Sequence, residues 1–258
     1  EPAAAPSVEQ PAQAPRGDAS KAPPQIASAR APVQQFPTAR AQIDNKLLPN
    51  IKRNANPETG LIEGKRLSGQ YRQVGTPAIV LWETLDGRFI VATGRHKFDL
   101  AQRNGEPTIP AQVLREADGW TRAQMRTVDA ESNILDEQGE VDDYAAYFRE
   151  IRGTLTEAEG AARSLTERAK GRMGFLLGTF ASNDLYSAFL AGRITAERAS
   201  AIADIARDDE GLQAVGMKKA MARPAPSPQE IQQFIKALKT FGRQAKATQG
   251  DLFGFDDS

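Results

Sequence analysis

Gly94, Arg95, His96 and Lys97 follow one another where the apolar run Arg88 to Ala92 hands over to residues with helical spacing. A helix N-terminus already carries roughly half a positive charge, and an exposed cation there costs about 0.3–1 kcal/mol. Two fixed cations and the chain's single histidine crowd this one, and Asp99 offsets only part of the charge. The crowding makes sense if an anion sits at the junction. Free backbone N–H groups, a glycine that permits close approach and basic side chains together form a phosphate site. In that reading His96 donates a hydrogen bond while Arg95 and Lys97 supply charge. A solvated basic turn would use the same residues, and spacing alone leaves both open. Glu131 and Asn133 form a second constellation. Glu131 could hold a hydrated Mg²⁺ or polarise a water as a catalytic group, with Asn133 beside it on the metal. Otherwise Glu131 is a solvated acid ahead of a helix and Asn133 caps a turn.

The elements around the junction read as strand, hairpin, strand, helix, strand. Ala78 to Trp82 and Arg88 to Ala92 are short runs of β-formers separated by Asp86-Gly87, a hairpin signal. Phe98, Leu100 and Ala101 share a helix side, Asn104-Gly105 stops the helix, and Ile109 to Leu114 is a further strand. Pro110 suggests an edge or a strand start. Upstream, residues 1–40 are rich in Ala, Pro, Gln and Ser, which predicts a disordered linker. The Gly-rich stretch from Asn56 to Pro77 predicts irregular chain around a short helix near Ser68 to Gln73.

From Val141 the spacing is helical. Val141, Tyr144, Ala145, Phe148 and Ile151 form an amphipathic stripe. Thr154 or Thr156 caps the next helix, with Glu159 placed for a capping box to Thr156, and Asn183, Asp184 and Thr195 are natural N-caps. Residues 156–177 suit a helix-turn-helix, with Arg163, Arg168, Lys170 and Arg172 near its second helix and Lys218, Lys219 and Arg223 further on. These cations fit DNA-phosphate contact and major-groove docking, or else the wet edge of a bundle. After the stiff Pro224–Pro228 segment, Ser227 and Glu230 start a last helix, with Ile231, Phe234, Ile235, Leu238 and Phe241 on one face. That face is expected to dock on the bundle, with a partner-binding helix as the alternative. The domains are then a linker (1–40), a mixed α/β domain (41–135), a helical domain (136–223), and a linker, amphipathic helix and flexible tail (224–258).

Composition narrows the classes. The 258 residues are 40% hydrophobic and 26% charged with a formal net charge of +0, so a core is possible and a uniformly basic protein is not. Residues 76–149 hold 13 acidic against 8 basic side chains, which makes the 95–97 cluster stand out. With no cysteine there is no disulfide, thiolate zinc site or cysteine nucleophile, and the chain fits a reducing, cytoplasmic setting. No apolar run approaches the roughly 20 residues that span a bilayer. The chain opens on Glu1 without the layout of a secretory signal, and is expected to be a piece of a longer polypeptide.

The segment from Val91 to Leu114, VATGRHKFDLAQRNGEPTIPAQVL, resembles the phosphate-binding segment of the ParB/sulfiredoxin-fold family, in which a strand, G-x-[RH]-[RK], a helix and an "IPa-V" strand follow in order. The segment from Asp129 to Ile151 is similar to the one that reads E-N-x-Q-R in ParB proteins, and "AGRITAERA" resembles a motif of their helix-turn-helix region. The likeness covers roughly residues 60–210. The closest flavour is the ParB-like module of very large phage and mobile-element (polyvalent) proteins, acting in a bacterial host cell. The resemblance implies an α+β fold, a small mixed-sheet domain followed by an all-α helix-turn-helix bundle. It implies CTP or another nucleotide at Gly94–Lys97, Mg²⁺ with it, DNA as partner and a homodimer. Sulfiredoxin repair is excluded, because Arg95 stands where that reaction needs Cys. Ser132 separates Glu131 from Asn133 and the following Gln-Arg is absent, which departs from the CTP-hydrolysing pattern. A metal-dependent nuclease or NTPase, and a scaffold without catalysis, are the alternative functions. Gln249 to Phe253, "QGDLF", resembles the peptide by which bacterial replication proteins dock on the sliding clamp.

Overall fold

Strands form where β-branched and aromatic residues cluster, and one of them lies where the composition predicts linker. The computed structural model describes residues 31–252, with side chains as far as 242. Its first strand, β1 (Gln34–Pro37), is followed by a turn of 3-10 helix and the two-residue β2 (Ala41–Gln42). Residues 34–42 therefore belong to the fold rather than to a linker, and residues 1–30 of that expected linker lie outside the described part. β1 pairs antiparallel with β5 (Thr108–Arg115), Phe36 opposite Ile109 and Gln35 opposite Pro110. Phe36 explains the correction: it is a large apolar side chain buried in the core beside Phe89, at 4.7 Å between ring centroids.

The hairpin forms as expected from β3 (Ile79–Glu83) and β4 (Phe89–Thr93), with Gly87 in the left-handed region. β3 runs parallel to β5 and β2 runs parallel to β4, giving the mixed order β1-β5-β3-β4-β2. Pro110 is thus in an interior strand, because β1 covers what would otherwise be the edge. Helix α1 (Arg95–Arg103) buries Phe98, Leu100 and Ala101 with Leu81, Phe89 and Val91. Between β2 and β3 the chain is a long strap, residues 43–78. Its short helix is a 3-10 turn at Glu63–Lys65, not a helix at 68–73. Glycines at 69 and 75, both at positive φ, suit turns in that stretch.

Helix α2 (Arg122–Leu135) opens with a capping box between Thr121 and Gln124 and packs on β4. Then come α3 (Val141–Glu150), α4 (Glu157–Ala162), α5 (Ala169–Phe180), α6 (Asn183–Leu190), α7 (Ala196–Ala206), α8 (Glu210–Ala220) and α9 (Pro228–Leu252). The architecture is α+β: a small mixed sheet followed by an all-α bundle. α3 and α5 cross at glycines. A Cβ on Gly174 would lie 2.5 Å from Tyr144 Cβ, and one on Gly178 2.6 Å from the Ala145 carbonyl. Ala130 and Ile134 of α2 share a core with Tyr144, Phe148, Leu165 and Phe175, so α2 ties the sheet to the bundle. α9 docks through Ile231 and Ile235, while Phe241 stays 68% exposed.

Candidate functional site

Gly94 follows β4 and is the N-cap of α1 at φ 81, ψ 25, with no side chain capping the helix. Only glycine fits there. Beyond the positive φ, a Cβ would lie 2.6 Å from Ile79 Cγ2. The junction opens on a cleft of about 680 Å³, within the ordinary size for a small-molecule site of about 300–1,000 Å³. Gly94, Arg95, His96 and Lys97 all line it, so the structure brings the four residues singled out in the sequence to one place. Lys52 and Lys65 of the strap line it too, opposite Asp129, Ser132, Asn133 and Asp136 of α2 and the turn after it.

Arg95 is not a free cation. It is 5% exposed, and its Nη1 donates to Asp129 Oδ2 at 2.8 Å while Nη2 donates to the Leu48 carbonyl at 3.0 Å. Its Nε–H is buried without a partner. His96 Nε2 accepts from the Ile62 N–H at 3.3 Å, so in the neutral ring Nδ1 carries the proton. That Nδ1 is likewise buried and unpartnered. Burial lowers the His96 pKa, and Lys52 adds to the effect, which keeps the ring neutral. Burial also lowers the pKa of the Lys52 amine, against the pull of Asp129 and Asp143. Both unpartnered atoms are closed to solvent, so the cations of the lining that can meet a ligand are Lys52, Lys65 and Lys97.

The strap is pinned over α1. Arg66 Nη2 lies 2.7 Å from Asp99 Oδ1, Arg103 Nη2 donates to the Leu67 carbonyl at 2.6 Å, and Asn104 Oδ1 accepts from the Tyr71 N–H. Burial pushes the Asp99 carboxyl up, but the hydrogen bonds from Arg66 and Arg103 together hold it below its ordinary value. Within the strap, Asn45 Oδ1 accepts from the Asn50 N–H and its amide donates to Pro57. These Asn contacts make a built loop that carries Lys52, and the Arg66–Asp99 pair holds the neighbouring Lys65 segment over α1. Sequence reading missed both lysines, since nothing in their spacing relates them to residues 94–97. The one signal was the density of Asn, Pro and Gly from 44 to 60, which favours a loop held by its own side chains.

Glu131 and Asn133 part company. Residues 129 and 133 share one face of α2, and 131 lies on another. Asn133 Nδ2 donates to Asp129 Oδ1 at 2.9 Å and faces the cleft. Glu131 is neither a solvated acid nor ahead of a helix. It is 5% exposed within α2, and its Oε1 accepts from Arg163 Nη1 at 2.9 Å and from the Tyr147 hydroxyl at 3.2 Å. Burial raises the Tyr147 pKa, and Glu131 adds to it. Among the described residues no group of three His, Cys, Asp or Glu side chains could hold a metal ion.

The four cations of the expected helix-turn-helix also have defined places. Arg163 follows α4 and pairs with Glu131. Arg168 is the N-cap residue of α5 and lies 3.1 Å from Glu137, and Lys170 lies 2.8 Å from Glu140. Arg172 is exposed in the first turn of α5. The rest of that helix is largely buried, so only its amino end is available to a partner. The segment from Gln249 is described only as the backbone end of α9, and its side chains and Phe253 lie outside the described part. No described helix is long and apolar enough to cross a membrane.

No protein-family model matches the sequence, and no curated protein matches it. Among solved structures the chain is similar to the C-terminally truncated chromosome-partitioning protein ParB of Caulobacter crescentus complexed to the centromeric parS site. The identity is 16%, over 79% of this chain and 99% of that one, with a TM-score of 0.46. It is also similar to that truncated protein complexed with CTP-gamma-S, at 18% identity over 72% of this chain and 98% of that one, with a TM-score of 0.27. At that identity and overlap, function has to be read from this chain's own residues.

Proposed function

We propose that this chain is a ParB-like nucleotide- and DNA-binding module whose cleft holds nucleotide phosphate at Gly94–Lys97. The observation that carries the reading is the uncapped start of α1 at a cleft with Lys52, Lys65 and Lys97 on its walls. Free N–H groups at a helix start together with lysine amines suit the oxygens of a phosphate. Arg95 then acts as a positioning residue, its guanidinium fixed by Asp129. His96 is neutral and accepts from the Ile62 N–H, and Lys52, Lys65 and Lys97 supply charge. The sequence resemblance to the ParB family favours CTP. The DNA-facing part is the amino end of α5 with Arg163, Arg168, Lys170 and Arg172. A homodimer, a parent phage or mobile-element protein, and clamp docking through Gln249–Phe253 accompany this reading on the resemblances alone. Glu131 and Asn133 do not fit a shared metal, so the proposal is binding, with no hydrolytic step assigned to the chain.

Calorimetric titration with the four nucleoside triphosphates tests it. CTP is expected to bind, and Lys52→Ala with Lys97→Ala to weaken it at least tenfold, about 1.4 kcal/mol. Absence of binding by every triphosphate, with and without Mg²⁺ and duplex DNA, would remove the nucleotide from the account.

A further inference from the structure

The turn between α2 and α3, residues 136–140, is acidic and lies against the amino end of α5. Glu137 Oε2 is 3.1 Å from Arg168 Nη1, and Glu140 Oε2 is 2.8 Å from Lys170 Nζ. The Gly139 carbonyl accepts from the same lysine at 3.4 Å. One helix earlier, Glu131 takes Arg163 at 2.9 Å. Three of the four cations that could meet DNA phosphates are thus already in contact with carboxylates of the chain itself. The hydrogen bond from Lys170 holds the Glu140 carboxyl below its ordinary pKa, with Lys65 and Lys52 adding to the pull. The acid is therefore charged wherever DNA binding would be measured.

Carboxylate oxygens at hydrogen-bond distance from guanidinium and ammonium groups occupy the positions that phosphate oxygens would take. The two surface pairs are not alike in kind to the Glu131 pair. Glu137 and Glu140 are exposed and Glu131 is buried, so only the Glu137 and Glu140 side chains can swing away without opening the core. Exposed pairs of this sort are weak and exchange readily, which suits a competitor better than a lock. Rigid elements flank the turn. Ile134 at the end of α2 is in the core, and the Tyr144 hydroxyl of α3 accepts from the Gly139 N–H at 2.8 Å.

We propose that the 136–140 turn is a built-in phosphate mimic, whose Glu137 and Glu140 carboxylates compete with duplex DNA for Arg168 and Lys170. This rests on the DNA-binding part of the reading above. The two carboxylates set the affinity of the module for DNA low, and DNA binds by displacing them.

Fluorescence anisotropy with a labelled random-sequence duplex, across a salt series, tests this. Glu137→Gln with Glu140→Gln should tighten binding about tenfold at low salt and leave the slope of log K against log salt nearly unchanged, because the same phosphates are neutralised once the carboxylates are displaced. Glu140→Gln alone should give a smaller change in the same direction. With Arg168→Ala and Lys170→Ala also present, the gain should vanish. A gain that survives loss of those two cations would reflect overall charge and overturns the proposal. If the wild type binds DNA and the Gln variants bind it no better, the mimic fails while the DNA reading stands. If neither binds DNA at low salt, both fall.

Discussion

Arg95 Nη1 lies 2.8 Å from Asp129 Oδ2, with each side chain 4% exposed, and this buried pair joins the first turn of α1 to the middle of α2. Removing one partner strands the other charge in a site closed to water. Arg95→Ala is therefore expected to lower the unfolding free energy by about 3–5 kcal/mol, measured by urea denaturation. Asp129→Ala should cost a similar amount, and the double variant much less than the sum. Additive losses would show that the two groups are not coupled and that the cleft is not built on this pair.

His96 makes a second prediction, through pH. Its folded pKa lies below the ordinary histidine value, chiefly through burial. The unfolded chain therefore binds more protons than the folded one as pH falls below about 6.5. The contribution of His96 to stability is fully present above that pH and is lost as pH falls through the folded pKa. Protonation also forces Nε2 to give up the Ile62 N–H that it accepts from. The unfolding free energy is expected to drop between neutral pH and pH about 5, ahead of the carboxylate range, and His96→Gln should flatten that part of the profile. An unchanged slope in the variant would mean that another group titrates there.

How much of this was legible in sequence depends on whether the determining contacts are local. The Asp86-Gly87 hairpin, the Thr156–Glu159 capping box and the Ser227 start of α9 each lie within four residues, and each is found where the residues put it. The Val141-to-Ile151 stripe is α3, with Tyr144, Ala145 and Phe148 inside. β1 escaped because its partner strand is some seventy positions away in sequence and its composition is that of the Pro/Ala segment before it. α2 carried a signal that went unread. Thr121 and Gln124 form a capping box, and Met125, Val128 and Ile134 fall on helical spacing. Without that helix Glu131 could be taken for a surface acid. At the cleft, residues 94–97 were legible because a strand, a glycine and a helix start are adjacent in sequence. Lys52, Lys65 and Asp129 were not, because the strap and α2 reach the cleft only through tertiary contacts.

The α3–α5 crossing supports a third prediction. A Cβ at position 178 would lie 2.6 Å from both the Ala145 carbonyl oxygen and Phe148 Cβ, so nothing flexible can give way. Gly178→Ala should force the helices apart and destabilise the chain by about 1–3 kcal/mol, although alanine is otherwise the better helix former. The exposed Gly242 of α9, where a Cβ meets nothing within 4 Å, is the comparison: Gly242→Ala should be neutral or slightly stabilising. Equal effects at the two positions, read by thermal unfolding, would contradict the close approach.

Glu131 separates a structural acid from a catalytic one. It accepts from Tyr147 of α3 and from Arg163, which follows α4, so one carboxylate on α2 collects donors from two further parts of the bundle. It stands apart from the cleft that Asp129 and Asn133 line. Glu131→Ala leaves the Tyr147 hydroxyl, already largely buried, without its acceptor, and should lower stability by about 1–3 kcal/mol. Nucleotide affinity should stay within about twofold of wild type, well under the 1.4 kcal/mol of a tenfold change. Glu131→Gln keeps an acceptor oxygen and should recover most of the lost stability. A Glu131→Ala protein that unfolds like the wild type but loses nucleotide binding or turnover would put this carboxylate at the chemistry rather than in the frame.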